Sequence, residues 1–126
     1  MIVGGGYIGL EAAAVARKIG LEVTILEASK RILGRVAAPE TSDFFRNLHQ
    51  VHGVEVLEAT ALDSFIVNQG LITGAQCGKT ALECDLVLVG IGVIPNDEMA
   101  SSFGIATDQG ISVSYTHLTL PTIYSV

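Results

Sequence analysis

MIVGGGYIGLEAAAVARKIGLEVTILE, residues 1–27, changes its periodicity twice. Met1 to Val3 end a short apolar strand, GGGYIG makes a turn, and Ile8, Ala12, Val15, Ala16 and Ile19 then recur at helical spacing. Gly20 stops that helix as a C-terminal glycine commonly does. EVTIL, residues 22–26, is a β-branched apolar run that ends at Glu27. Strand, glycine turn, helix, strand is the expected order, with the second strand parallel to the first.

Downstream, a loop carries Lys30, Arg31 and Arg35, and Pro39 suits the first turn of a helix. Phe44, Phe45, Leu48 and Val51 of that helix are expected to face the sheet, Gly53 to end it, and VEVLEA, residues 54–59, to form a third strand. The texture then changes. Residues 59–84 read as antiparallel strands around Asn68, Gln69 and Gly70, with a further turn near Gly78 and Lys79. Leu86, Val87, Leu88 and Val89 form a continuous apolar run, the pattern of a strand buried on both faces of a parallel sheet, and run into GIGVIPN, residues 90–96. Glu98 to Phe103 is a short helix closed by Gly104, and residues 105–113 alternate like a last short strand or hairpin. The expected fold is α/β: a Rossmann-like three-layer dinucleotide-binding domain with a parallel sheet and an antiparallel β-meander insertion.

At 126 residues the chain is long enough for one modest core. Nearly half of it is apolar, yet no apolar run reaches the length of a membrane span, and the start lacks the pattern of a secretory signal, so a cytoplasmic protein without a membrane partner is expected. A net charge of −6 with only seven scattered Lys and Arg residues argues against nucleic acid as a partner. It leaves an anionic cofactor open, because backbone N–H groups and a helix N-terminus supply local positive field. Cys77 and Cys84 are seven apart, which fits neither a redox CxxC pair nor a zinc knuckle, and they read as buried reduced thiols. His49 and His52 read as histidines on a helix surface, and no metal site is expected.

Residues 113–126, VSYTHLTLPTIYSV, do not continue the preceding pattern. They look like an in-frame translation of a transposon-type sequencing adapter, and the abrupt start at Met1 fits an incomplete gene. The expected division is therefore a dinucleotide-binding domain at 1–112 and a non-native read-through segment at 113–126.

Gly4, Gly6 and Gly9 stand at G-x-G-x-x-G spacing, and each has its own steric duty. Gly4 permits the tight turn, Gly6 removes a side chain where backbone must approach a pyrophosphate, and Gly9 lets helix pack on strand. Glu27 lies eighteen residues beyond Gly9, where a carboxylate can accept hydrogen bonds from adenosine ribose hydroxyls. This favours NAD(H). A 2′-phosphate there would be repelled unless Lys30, Arg31 or Arg35 compensated. A methyltransferase binding S-adenosylmethionine shares the glycine turn and the acidic strand end, and a non-catalytic dinucleotide sensor is a further alternative.

GGGYIGLEAAAVARKIGLEVTILEASKRILGR, then APETSDFF, LHQVHGVEV and DLVLVGIGVIPND, resemble the NADH domain of the FAD-dependent pyridine nucleotide-disulfide oxidoreductase superfamily, most of all its ferredoxin and rubredoxin reductase branch. The resemblance covers Met1 to about Ser112. It implies an NAD(P)H-dependent enzyme in which electrons pass from NADH through FAD to a small iron–sulfur acceptor. It also implies that the FAD domain lies elsewhere in the intact chain and that the fragment alone is not catalytically competent. By the same resemblance Gly5 belongs to the glycine turn, Glu11 lies near nicotinamide and flavin, and Tyr7 and Ile8 line the nicotinamide and pyrophosphate path. Glu27, Ala28 and Arg35 hold the adenosine end, and Gly90, Ile91 and Gly92 form a second glycine loop beside the nicotinamide. Read without the resemblance, Glu11 and Arg35 are ordinary surface charges.

Overall fold

A computed structural model describes residues 1–113, which divide into a compact unit Met1–Ile91 and a second unit opening at Gly92. The first unit runs β1 (Ile2–Val3), α1 (Tyr7–Lys18), β2 (Val23–Leu26), α2 (Pro39–Val51), β3 (Val54–Leu57), β4 (Ser64–Asn68), β5 (Leu71–Cys77), β6 (Thr80–Glu83) and β7 (Leu88–Val89). The second contains α3 (Glu98–Ser102), followed by Gly104 at a φ of 75° and an isolated antiparallel bridge between Thr107 and Ile111. The segment read as non-native lies outside the described residues from residue 114 onward.

Four strands form a parallel sheet in the order β3-β2-β1-β7, and three form an antiparallel sheet in the order β4-β5-β6. Successive strand residues face opposite sides. Ile2 and Ile25, paired in register, pack with Leu10, Ala13, Ile32 and Val54 on the helical side. Val3 and Leu26, the next pair, pack with Cys77 on the other side, where Leu57 and Leu82 join them. Two cores thus share one thin sheet, giving the three layers. A slip of one residue in the pairing of β1 would exchange their contents.

Both helices sit where the sequence places them. In α1 the buried residues are Gly9, Leu10 and Ala13, whereas Ile8, Val15 and Ile19 are exposed. Small residues on the inner face let the helix axis approach the strands, and larger ones there would hold it off. In α2 the expected apolar face is inward only at Phe45. Phe44, Leu48 and Val51 are exposed, while Ser42 and His49 are buried and Phe45 is partly buried. That polar choice follows from local demand, since the loop after β2 presents a carbonyl that the Ser42 hydroxyl satisfies.

The apolar run at residues 86–89 also departs from expectation. β7 is an edge strand bonded only to β1 among the described residues, and Leu86 and Val89 are 65% and 54% exposed rather than buried on two faces. Of the cysteines, Cys77 is buried and Cys84 half-buried, and both are free. No helix among the described residues is long and apolar enough to cross a membrane.

His49, expected on a helix surface, is only 8% exposed. Burial, and behind it the neighbouring charge of His52, push its imidazole below the ordinary value of 6.5. The folded state therefore resists a proton that the unfolded state accepts. Stability should be full above about pH 6.5 and decline as pH falls from there toward the lowered folded value. Denaturant midpoints measured across that range check this: the decline should appear in the parent protein and flatten in His49→Gln. A parent profile without the decline would refute it.

Candidate functional site

The carboxyl ends of three parallel strands converge at one edge of the sheet. Gly4 N–H donates to Leu26 O at 2.8 Å, Gly90 N–H to Val3 O at 2.8 Å, and Glu27 N–H to Leu57 O at 2.9 Å, carrying the ladders one residue past each strand. β2 lies on one side of β1 and β7 on the other, so the direction of winding reverses at β1. The crevice outside the carboxyl ends at such a reversal is where open α/β sheets take ligands.

The glycines divide by what a side chain would meet. A Cβ on Gly4, which has φ +111°, would strike the Gly90 carbonyl, and one on Gly9 would strike the carbonyl oxygen of Gly4. A Cβ on Gly5 would lie 2.6 Å from Ile32 Cγ2. These three are required by the protein's own packing. A Cβ on Gly6 meets nothing within 4 Å, so the space above it is open to a ligand. Gly6 is also the N-cap of α1 and makes no side-chain cap, and the first bond into the helix is Leu10 N–H to Gly6 O at 3.0 Å. The amides ahead of Leu10 have no acceptor within the helix, and their dipoles favour an anion. The arrangement fits a pyrophosphate.

Glu27 is partly buried at the end of β2. Its Oε2 accepts the Gly5 N–H at 2.8 Å and its Oε1 accepts the Ser29 N–H at 2.7 Å. Partial burial pushes the carboxyl up, but the hydrogen bonds from Ser29 and Gly5, with the charge of Arg35, outweigh it and hold the group below its ordinary value of 4.5. An ionised carboxylate has about four acceptor positions, so two remain for ligand hydroxyls. Ala28 and Arg35 are both exposed.

The remaining expected residues separate. Ile8 lies on the β7 side, its Cγ2 3.8 Å from where a Cβ on Gly90 would be. Tyr7 and Glu11, one turn apart, open instead onto an apolar groove of about 620 Å³ between α1 and α2, lined also by Leu33, Phe45 and His49. Glu11 is exposed and lies beyond the first turn of α1. Ile91 is exposed at the end of the first unit, and Gly92 opens the second with a φ of 131°.

Three residues that the sequence reading did not single out, Ile32, Ser42 and Glu58, brace the loop against the glycine turn. A signal for Glu58 was present, because VTILE and VEVLE end alike and Leu26 pairs with Leu57, placing two strand-end glutamates side by side. Ser42 and Ile32 carried no such signal.

A glycine-turned helix start, a strand-end carboxylate and a three-layer sheet define a Rossmann-like dinucleotide-binding module. Residues 1–126 match the family described as pyridine nucleotide-disulphide oxidoreductase, and the chain belongs to that family. Putidaredoxin reductase of Pseudomonas putida is 43% identical over 117 residues, covering 90% of this chain and 28% of that protein. The 5,5'-dehydrodivanillate O-demethylase ferredoxin reductase subunit of a Sphingobium strain is 42% identical over 128 residues, covering 99% of this chain and 31% of that protein. The crystal structure of the ferredoxin reductase for the CYP199A2 system of Rhodopseudomonas palustris superposes with a TM-score of 0.86 at 40% identity, covering 89% of this chain and 28% of that one. The chain thus spans under a third of the length of these relatives.

The glycine assignments separate folding from binding. Gly9→Ala should lower stability by about 1–3 kcal/mol, the range for an overpacked core. Gly6→Ala should cost no more than about 1 kcal/mol, the scale of an N-cap change. Thermal unfolding of the two variants checks this, and equal losses would remove the distinction.

Proposed function

We propose that this chain is the NAD(H)-binding domain of an FAD-dependent oxidoreductase that passes electrons from NADH through flavin to a ferredoxin-type iron–sulfur acceptor. The observation that carries the reading is the Glu27 carboxylate, held by two backbone N–H groups beside an uncapped helix start. The names of the relatives, reductases of putidaredoxin and of a demethylase ferredoxin, supply the acceptor class. Their greater length supports a flavin domain elsewhere in the intact protein, so the chain alone binds the dinucleotide and turns over nothing. Residues 1–112 would be the dinucleotide module and 113–126 a read-through segment, in a cytoplasmic protein.

When bound, the dinucleotide would supply hydride, and a flavin held elsewhere would pass its two electrons on singly and release the proton. The chain's own residues bind and orient. The amides at the start of α1 and the bare Gly6 receive the pyrophosphate, while Glu27 receives the ribose hydroxyls, with Ala28 and Arg35 beside it. On the β7 side Ile8 borders the nicotinamide half, with the backbone at Gly90 bare enough for close approach, while Tyr7 and Glu11 open onto the groove between α1 and α2.

Calorimetric titration against NADH, NADPH and S-adenosylmethionine tests the reading. NADH should bind in preference, Gly6→Val should abolish binding, and Glu27→Ala should cut the preference for NADH over NADPH by about tenfold, or 1.4 kcal/mol. Selective binding of S-adenosylmethionine would overturn the reading. An unchanged preference in Glu27→Ala would remove the ribose role.

A further inference from the structure

The loop after β2 has no regular structure of its own, yet Ile32 within it is fully buried and both of its backbone polar groups are bonded by side chains. Glu58 Oε1, just past β3, accepts the Ile32 N–H at 2.8 Å. The Ser42 hydroxyl of α2, itself fully buried, donates to the Ile32 carbonyl at 2.7 Å and accepts from the Arg31 guanidinium. Behind Glu58 stands Arg46, whose Nε is 2.9 Å from Glu58 Oε2 and whose Nη1 is 2.8 Å from Asp43. Arg46 Nε is buried and forms an ion pair with that carboxylate.

What this bracing holds is the glycine turn. The Ile32 side chain fills the space where a Cβ on Gly5 would be. The next residue, Leu33, takes a left-handed φ of 55° and donates its N–H to the Gly5 carbonyl at 2.9 Å. Gly5 is therefore gripped on both sides, its carbonyl by Leu33 and its N–H by Glu27 at 2.8 Å. A trans peptide is planar, so a Gly5 carbonyl fixed toward Leu33 turns the Gly6 N–H to the opposite side, away from the loop.

Resting on the dinucleotide reading above, we propose that Glu58 and Ser42 are positioning residues for dinucleotide binding. They lock Ile32, whose side chain together with the Leu33 N–H holds Gly5, so that the Gly5–Gly6 peptide directs the Gly6 N–H and the Gly4–Gly5 peptide directs the Gly5 N–H onto Glu27. Neither side chain touches the ligand. Both act at the adenosine and pyrophosphate half, and a preformed loop there removes an ordering cost from binding.

The test is calorimetric titration of the full chain with NADH and with ADP-ribose, which lacks the nicotinamide, at a temperature where each variant is folded. Glu58→Ala should weaken both ligands by the same factor, about tenfold. Glu58→Gln, whose amide oxygen can still accept the Ile32 N–H, should recover most of the loss. Ser42→Ala should weaken both ligands in the same proportion, and it decides the matter if Glu58→Ala does not fold. Undiminished affinity in the Ala variants, even with lowered thermal stability, would overturn the positioning role alone. Equal weakness of Glu58→Gln and Glu58→Ala would overturn the route through Ile32. A parent chain that binds neither NADH nor ADP-ribose would overturn the dinucleotide reading and the positioning role with it.

Discussion

Three backbone segments occupy space that only glycine leaves free: the end of β1, the start of α1 and the end of β7. The carbonyl of Gly4 lies where a Cβ on Gly9 would be, and the carbonyl of Gly90 lies where one on Gly4 would be. Much else depends on that double contact. It brings α1 down onto the sheet so that Leu10 and Ala13 reach Ile2 and Ile25, and it sets the N-terminus of α1 at the point where the winding reverses. A helix standing even a methyl group further out would lose packing at the inner layer and misdirect its free amides.

Glycine also explains why the turn and the strand-end carboxylate were legible. Gly4, Gly6 and Gly9 are readable because their spacing encodes steric necessity, and Glu27 because it follows a β-branched run at a fixed distance. The meander was legible for a similar reason, with turn residues at Asn68–Gly70 and Gly78 marking the hairpins that join β4, β5 and β6. Which face of each helix turns inward was not legible. Apolar spacing identified α1 and α2 as helices, but α1 buries Gly9, Leu10 and Ala13 and α2 buries Ser42 and His49. Periodicity reports hydrophobicity, whereas these faces were selected by close approach and by an unsatisfied carbonyl in the loop.

The exposed apolar residues have the same origin. Val15 and Ile19 on α1, Phe44 and Val51 on α2, and Leu86 and Val89 around β7 are all large and all exposed. Leu86 to Val89 has the composition of a buried strand, but β7 pairs on one side only among the described residues, so the run carries more apolar surface than this unit covers. Composition does not distinguish an edge position from a central one.

Glu27 shows how the same glycine turn sets the charge the ligand meets. A partly buried carboxylate would ordinarily hold its proton more tightly, but two backbone N–H donors and Arg35 reverse that and keep it ionised. One of those donors belongs to Gly5, so in the proposed reading the turn that would receive the pyrophosphate also fixes the carboxylate that would meet the ribose. A ribose with both hydroxyls free can donate to the two acceptor positions Glu27 keeps. A 2′-phosphate brought to about 4 Å would instead face a repulsion of about 4 kcal/mol per unit charge at an effective dielectric near 20. Arg35 offsets part of this, but it is exposed and solvent-screened, while Glu27 is held in place by the backbone. In the proposed reading, a single carboxylate fixed by a glycine amide would favour the unphosphorylated dinucleotide.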